Sequence, residues 1–233
     1  MSPLEAPPSP PAAATRPGQA FRPDPLGPLN LYAKATAGAA FFLLFAGGLV
    51  TSTGSGLAVP DWPLSFGRFF PRMTGGVFFE HGHRMAAGTV GLMTLALAVW
   101  ILRAEGRRWV RAVAAVAAAA ILVQAALGGL TVLLKLPPAV SIAHAVLGQT
   151  VFCLLLILAQ ATSSWFREPR PSTAASPWRA CAIGAAAVFL QLVLGALLRH
   201  TGHGLVVHIV WGAAAWLLLA RAALLSLDAD ALL

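Results

Sequence analysis

Long apolar stretches, separated by short polar ones, make up most of this 233-residue chain. Six of them are long enough to cross a membrane as helices, because about 20 residues at a rise of about 1.5 Å span a hydrocarbon core of about 30 Å. They cover roughly residues 32–52, 79–102, 109–134, 139–164, 178–198 and 205–225. The pattern predicts an all-α, polytopic membrane protein whose six transmembrane helices pair into three αα-hairpins, with the first four helices forming a four-helix bundle.

Composition and charge agree with this class of protein. The chain is 58% hydrophobic and only 10% charged, far less charged than a soluble domain. Eleven of the 16 Lys and Arg residues lie in the N-terminal tail, the second and fourth loops and the C-terminal end, against five in the odd loops and adjoining helix ends. The positive-inside rule therefore predicts a cell-membrane protein with both termini in the cytoplasm. Since topology explains the net charge of +8, the expected partner is the lipid bilayer and not a nucleic acid.

The expected domain boundaries follow the same pattern. Residues 1–30 hold nine of the 17 prolines and no signal-peptide core, which predicts a disordered, Pro-rich cytoplasmic tail. The remaining parts are the N-terminal four-helix bundle (31–165), a cytoplasmic linker (166–177) and a C-terminal transmembrane hairpin (178–233).

Two cysteines, Cys153 and Cys181, fall inside apolar runs. Neither belongs to a CxxC or CxxCH motif, so the sequence gives no support for a disulfide, a zinc site or covalent heme attachment. Both are expected to be small core residues.

The three hairpins share a pattern of small residues and histidines. Each outgoing helix has a pair of small residues before its outer end, and each returning helix has a histidine near its start. The small pairs are Gly47-Gly48, Gly128-Gly129 and Gly195-Ala196, and the histidines are His83, His144 and His208. In addition, GGLVTSTGSGLAV (47–59) matches GALLRHTGHGLVV (195–207) at seven of 13 positions, with a constant offset of 148. This second repeat favours an internal duplication.

All six histidines lie on the predicted outer side, where an ionisable residue within a span favours a functional interpretation. A small residue stands one turn below each returning-helix histidine and leaves room for a flat ring against the helix. These pairs are His83 with Ala87, His144 with Gly148 and His208 with Gly212.

Such histidines favour a heme site, because neutral imidazole is a good ligand for heme iron and helix bundles commonly house such cofactors. His83 and His144, on facing helices, are predicted to hold the iron of one b-type heme, and His208 is a further candidate ligand. The alternative for each is an interfacial imidazole bonded to a backbone carbonyl. The remaining histidines, in or beside loops, receive no assigned role: His81, His200 and His203.

The segment FFEHGHRMAAG (78–88) places further ionisable side chains beside His83. Glu80 precedes His83 by three residues and therefore shares its helix face. Arg84 is predicted to pair with the heme propionates, since its guanidinium offers a fork of donors. Arg199 can act likewise in the third hairpin or reach lipid headgroups.

The first outer loop, TGSGLAVPDWPLSFGRFFPRMTGG, is long and rich in aromatic residues. Loops of this length are usually functional or disordered, and its aromatics favour an ordered cap at headgroup level over the hairpins. These aromatics are Trp62, Phe66, Phe69 and Phe70, and Asp61 is expected to cap a turn.

Four segments resemble the heme A synthase family: GGLVTSTGSGLAVPDWPLSFGR, EHGHR, LGGLTVLLKLPP and IAHAVLGQ. The match covers residues 45–165, and LGALLRHTGHGL in the third hairpin resembles the opening of that family's second half. The resemblance implies two four-helix bundles in tandem, with heme-ligating histidines on the outer side. It also implies oxidation of a ring methyl of heme O to the formyl group of heme A, in support of cytochrome oxidase assembly.

The resemblance further implies roles for individual residues and partners. Glu80 matches the family's essential carboxylate, and His83 and His144 match the histidine pair of its catalytic half. Heme O is then the substrate, and heme O synthase and the terminal oxidase are the expected partners. Our hypothesis is that Glu80 receives a proton or stabilises positive charge during the oxidation.

The chain departs from the family in two respects. It has six spans, so the last hairpin and its histidine are missing, and its first outer loop lacks the cysteine pair of some members. The third hairpin is expected to pair with a second copy of the chain, so that His208 meets its counterpart, or with a separate subunit; otherwise part of the activity has been lost.

Two other functions stay open from the sequence. One is a b-type cytochrome that passes electrons from quinol, and the other is a heme-carrying oxidase assembly factor. Glu80 favours the enzyme over the cytochrome, because simple electron transfer needs no carboxylate beside the heme.

Overall fold

The structure, a computed structural model, describes residues 26–167 and 177–230. Over these residues the chain folds into seven helices. They are α1 (Gly27–Ser52), α2 (Gly76–Ala104), α3 (Arg108–Leu133), α4 (Pro138–Ala161), α5 (Ser164–Arg167), α6 (Trp178–Thr201) and α7 (Leu205–Asp230). Most of the predicted Pro-rich tail and of the predicted linker lies outside the described residues.

Six of these helices are long and apolar enough to cross a membrane, namely all except the four-residue α5. The prediction of an all-α, multi-pass membrane protein is confirmed. The six helices form three hairpins, α1–α2, α3–α4 and α6–α7.

The first four long helices form a closed bundle, in which α1 packs against α2 and α4, and α3 packs against α2 and α4. The third hairpin joins this bundle through contacts between α6 and α4. We call the end of the bundle that carries loop 53–75 the outer end, and the opposite end the inner end.

The apolar core is concentrated in the inner half of the bundle. Its members come from the first half of α1 and α3 and from the second half of α2 and α4. The largest of them with almost no exposed surface are Leu29, Leu97, Ile101, Leu155 and Leu158. Several alanines between them are also buried, and such small residues let membrane helices approach closely.

Polar contacts fasten the helix ends at the inner side. The buried Asn30 Nδ2 donates to the Ala159 carbonyl at 2.6 Å and to Thr162 Oγ1 at 3.1 Å, which ties α1 to the end of α4. Arg107 pairs with Glu105 at 2.7 Å and donates to the Ala161 carbonyl at 2.6 Å, which ties the α2–α3 turn to the same place.

The structure extends α1 further toward the N-terminus than the sequence predicts. The helix begins at Gly27, inside the range 1–30 expected to be tail, with a proline in its first turn. Proline is favoured there because it has no N–H to leave unpaired and its φ suits a helix. The contacts of Asn30 with α4 hold this extra turn in place.

The 148-residue repeat corresponds to a shared structural feature. Both copies begin near the outer end of an outgoing helix, and both pass through a glycine with left-handed backbone, Gly54 (φ 64°) and Gly202 (φ 72°). After Gly202 the third hairpin returns at once into α7, whereas the first hairpin inserts the long outer loop before α2.

Both cysteines are exposed on the surface of the structure, so the prediction that Cys153 and Cys181 are core residues is wrong. The physical reason is that a membrane helix also turns apolar residues toward lipid. An apolar run therefore does not indicate which of its faces is buried.

Replacing Asn30 with Leu should destabilise the protein by about 1–3 kcal/mol, because it leaves the Ala159 carbonyl without this donor at the inner end. The measurement is thermal unfolding in detergent micelles. Lys34→Leu, at an exposed position on the same helix, is the control. Equal unfolding temperatures for the two variants would contradict this role of Asn30.

Candidate functional site

Each of the three predicted ligand histidines packs its imidazole against a glycine of the preceding helix. A Cβ atom placed on any of these glycines would lie 3.0–3.1 Å from Cε1 of its histidine, closer than side chains normally pack. The pairs are Gly47 with His83, Gly128 with His144 and Gly195 with His208. The recurring glycines and histidines of the sequence are thus one feature, a ring lying on a bare stretch of helix.

His83 and His144 lie in the same bundle, on α2 and α4. The Nδ1 atom of each ring is buried and has no hydrogen-bond partner within the described residues. Two half-buried imidazoles in one bundle, each with a buried Nδ1 that has no partner among the described residues, fit the axial ligands of a heme iron.

His208, on α7, differs from these two. Both of its ring nitrogens lie within hydrogen-bond distance of Gln191 Nε2, at 3.1 and 3.2 Å. Its ring therefore already has a polar neighbour inside the third hairpin, and the fit to a metal is weaker than for His83 and His144.

The sequence predicts room for a flat ring at the glycines one turn below His144 and His208, but the structure shows this room filled. A Cβ on Gly148 would lie 3.0 Å from Gln124 Nε2, and a Cβ on Gly212 would lie 2.9 Å from Gln191 Nε2. The side-chain amides of Gln124 and Gln191 therefore occupy the space beside these glycines, and no room for a flat ring is left there.

Glu80 is buried, with only 3% of its surface exposed, and both of its carboxylate oxygens have partners. Oε2 accepts a hydrogen bond from the Val59 N–H at 2.8 Å, and Oε1 accepts one from Arg84 Nη2 at 2.5 Å. Because a buried charge is costly unless it is paired, these contacts hold the carboxylate in one position, one turn before His83.

Arg84 connects α2 to the outer loop. Besides Glu80, it donates to the carbonyls of Val59 at 3.0 Å, Asp61 at 2.6 Å and Leu64 at 3.1 Å. Four of its five N–H donors are thus engaged with the loop and with Glu80. Its pairing with heme propionates stays a prediction.

Further contacts fix the outer loop on α2. Asp61 accepts hydrogen bonds from the backbone N–H groups of Phe66 at 2.7 Å and Gly67 at 2.8 Å, which confirms that it caps a turn. His81, which is buried, bonds through Nδ1 to Ser65 Oγ at 2.8 Å. His81, for which the sequence predicts no role, therefore anchors the loop to α2.

Trp62 links the outer loop to the second hairpin. A Cβ on Gly129 would lie 2.7 Å from Trp62 Cδ2, so the indole rests directly on this glycine. The neighbouring Gly128 contacts His144. Two adjacent glycines of α3 thus support the loop tryptophan and the imidazole. The expected cap over the hairpins is confirmed at Trp62, although 43% of its surface is still exposed, and the other three aromatics of the loop are more exposed.

The remaining candidates lie at the outer end of α6. Arg199 Nη2 donates to the Thr51 carbonyl of α1 at 3.0 Å, an interaction that the sequence analysis did not foresee. His203 is exposed and its Nδ1 bonds to the Thr201 carbonyl at 2.7 Å, and His200 is half-buried.

Sequence reasoning missed the two glutamines. Gln124 and Gln191 each stand four residues before the glycine that supports a histidine, and each histidine is followed four residues later by another glycine. This recurring spacing was the available signal.

Comparison with known proteins relates the chain to proteins of heme metabolism. The family model described as "Cytochrome oxidase assembly protein" matches residues 73–223, more than half of the chain. The heme A synthase of Bacillus pumilus is 32% identical over 181 residues, which cover 74% of this chain and 59% of that protein. No solved structure matches the chain.

Two further relatives show the same pattern. The heme A synthase of Bacillus licheniformis is 34% identical over 122 residues, or 52% of this chain and 40% of the relative. The heme A synthase of Caulobacter vibrioides is 33% identical over 160 residues, or 62% of this chain and 44% of the relative. The chain thus spans 40–59% of the length of these three curated relatives.

Gly129→Ala should loosen the outer loop, because the added methyl would lie 2.7 Å from the Trp62 indole and displace it. We expect faster amide hydrogen exchange over residues 59–67, measured by mass spectrometry. Gly48→Ala is the matched control, since a Cβ at this second glycine of the α1 pair meets nothing within 4 Å. Unchanged exchange in Gly129→Ala would show that Trp62 does not hold the loop.

Acid should loosen the turn capped by Asp61. The backbone N–H groups of Gly67 and Phe66 hold the pKa of this carboxyl below its ordinary value of 3.8. A depressed folded pKa contributes stability that is present above pH 3.8 and lost as the pH falls through the folded value. We expect the Phe66 and Gly67 amides to lose protection, relative to the rest of the loop, only below pH 3.8. In Asp61→Asn this pH dependence should vanish, and its persistence there would contradict the assignment to Asp61.

Proposed function

Because the chain belongs to the heme A synthase family of cytochrome oxidase assembly proteins, we propose that it oxidises a methyl group of heme O to the formyl group of heme A. The observation that carries this proposal is the arrangement of His83, His144 and Glu80 at the outer end of the first bundle. Two half-buried imidazoles lie there, each with a buried Nδ1 that has no partner in the described part of the chain, and the buried Glu80 carboxylate stands one helical turn before His83.

His83 and His144 would hold the iron of a heme between α2 and α4. Their rings are already fixed in place by Gly47 and Gly128, so binding costs little further ordering of these side chains. A bound heme iron supplies the capacity to accept and pass on electrons. His208 would provide a further ligand once Gln191 moves from its ring.

With water as the source of the oxygen atom, oxidation of the methyl to the formyl group releases protons to solvent and electrons that pass through the heme iron to an electron acceptor outside the chain. Glu80 would accept a proton or stabilise positive charge that develops on the reacting carbon, and Arg84 would keep its carboxylate oriented. The Val59 N–H fixes the second oxygen, so the carboxylate cannot turn away from the site. The outer loop, held by Arg84, Ser65 and Trp62, would limit the access of water from above.

The surroundings of the site follow from the same proposal. Heme O would be the substrate, and heme O synthase and the terminal oxidase would be the partners that supply heme O and receive the product. The distribution of basic residues supports cytoplasmic termini, which would place Glu80 near the outer face, where protons can leave to water. Pairing of two copies through the third hairpin remains a prediction.

One observation favours a second candidate, a b-type cytochrome that transfers electrons from quinol. Both oxygens of Glu80 are engaged in holding the outer loop and Arg84, which is a sufficient structural reason for this carboxylate. In that case His83 and His144 would bind heme, and the heme would remain unmodified.

Expression together with a source of heme O, followed by extraction of the pigment, tests the proposal. We expect heme A from the wild-type protein and loss of bound heme from His83→Ala and His144→Ala. Glu80→Gln, which keeps the acceptor for Val59, should retain bound heme but yield no heme A. His203→Ala, at an exposed position, is the control that should behave as wild type.

Other outcomes would decide against the enzyme. Bound heme O or heme B without any heme A in the wild type would favour the cytochrome. Normal heme A formation by Glu80→Gln would remove the proposed role of the carboxylate.

A further inference from the structure

We infer that Gln124 is a positioning residue for His144, within a unit of four residues that occurs a second time around Gln191 and His208. This inference rests on the proposed heme-binding role of His144. The unit consists of a glutamine and a glycine on the outgoing helix and a histidine and a glycine on the returning helix. Its members are Gln124, Gly128, His144 and Gly148 in the second hairpin, and Gln191, Gly195, His208 and Gly212 in the third.

In both hairpins the glutamine amide reaches across to the histidine. Gln124 Nε2 donates to the main-chain carbonyl of His144 at 3.0 Å and lies 3.5 Å from its ring Nε2. Gln191 Nε2 lies 3.1 and 3.2 Å from the two ring nitrogens of His208. The amide is therefore next to the ring in each case, although its main acceptor differs.

The glycine one turn below each histidine makes this approach possible. The His144 carbonyl lies within helix α4, where it accepts a backbone N–H. Its oxygen has a second lone pair, which can accept an additional donor. A side chain at Gly148 would block the way, because its Cβ would lie 3.0 Å from Gln124 Nε2. At Gly212 the corresponding distance to Gln191 Nε2 is 2.9 Å.

The first hairpin supplies an internal comparison. Four residues before Gly47 stands Leu43 in place of glutamine, and four residues after His83 stands Ala87 in place of glycine. The first hairpin thus lacks both the glutamine of the outgoing helix and the glycine that follows the histidine on the returning helix. All three hairpins have a small residue at this place, but it is glycine only in the two hairpins that have the glutamine.

In the second hairpin the unit restricts the ring from two sides. Gly128 seats one face of the His144 imidazole, and the amide of Gln124 lies beside Nε2. The amide donates to the main-chain carbonyl at 3.0 Å and lies at 3.5 Å from ring Nε2, which leaves Nε2 open to a closer partner, and Nδ1 is buried without a partner in the described part of the chain. Gln124 thus sets the orientation of His144 without occupying its ligand position, as outer partners of metal-bound histidines do.

Gln124→Met, which keeps the length of the side chain but removes the donor, tests this inference. We expect heme affinity to fall about tenfold, the usual lower range for loss of an outer partner of a metal ligand. The electron paramagnetic resonance spectrum of the bound heme should also change, because the angle of the His144 ring is no longer fixed. Gln160→Met, at an exposed position on α4, is the matched control that should change neither property.

A second variant covers the case in which Gln124→Met does not fold. In Gly148→Ala the added methyl displaces the amide of Gln124 and touches no predicted ligand, so the same two changes are expected. Affinity and spectrum equal to wild type in a folded variant would overturn the inference.

A heme-free measurement separates this inference from the proposed function. With ¹⁵N-labelled histidine, the ring signals of His144 in the apoprotein should shift in Gln124→Met, whereas those of His83 should not. If the wild type binds no heme but the His144 signals shift, the proposed function fails and the positioning role stands. If the wild type binds heme and the His144 signals are unchanged by the substitution, the positioning role fails and the heme site stands.

Discussion

The contact between an imidazole and a bare glycine backbone is the constraint on which the outer end of this protein depends. In each hairpin it sets how closely the two helices lie and, at the same time, how the ring is turned. Any side chain at Gly47, Gly128 or Gly195 would have to displace the ring or separate the helices. Helix spacing and ligand geometry are therefore the same property here, and the sequence must keep both together.

The ion pair of the buried Glu80 with the half-buried Arg84 ties this geometry to the outer loop. Two charges in a low-dielectric interior stabilise the protein only when their remaining hydrogen-bonding groups are satisfied. Here the backbone of the loop satisfies them, through the Val59 N–H and the carbonyls of Val59, Asp61 and Leu64. As a result, the loop and the candidate site form one unit, and the carboxylate proposed for proton chemistry is also a structural anchor.

The sequence predicted the helices and showed the recurring glycines and histidines, because apolar length and internal repetition leave direct marks in a sequence. It did not predict that each imidazole lies on a glycine of the preceding helix. It did not predict the partners of Arg84, since these are main-chain carbonyls that any residue type provides. Gly148 and Gly212 were recognised as small, but what fills the space beside them depends on the facing helix. The exposure of Cys153 shows a similar limit, because lipid-facing and core-facing positions have the same composition.

The uneven placement of the apolar core along the bundle bears on how such a protein can change over generations. Most of the tightly packed core lies in the inner half, where adding or removing a single methylene group lowers the stability of the fold. The outer half instead consists of glycines, imidazoles, amides and the loop bound to α2. Replacements there change the ligands and the charges of the candidate site more than they change the stability of the fold. Selection can therefore explore new ligands at one end of the bundle while the other end keeps the chain assembled.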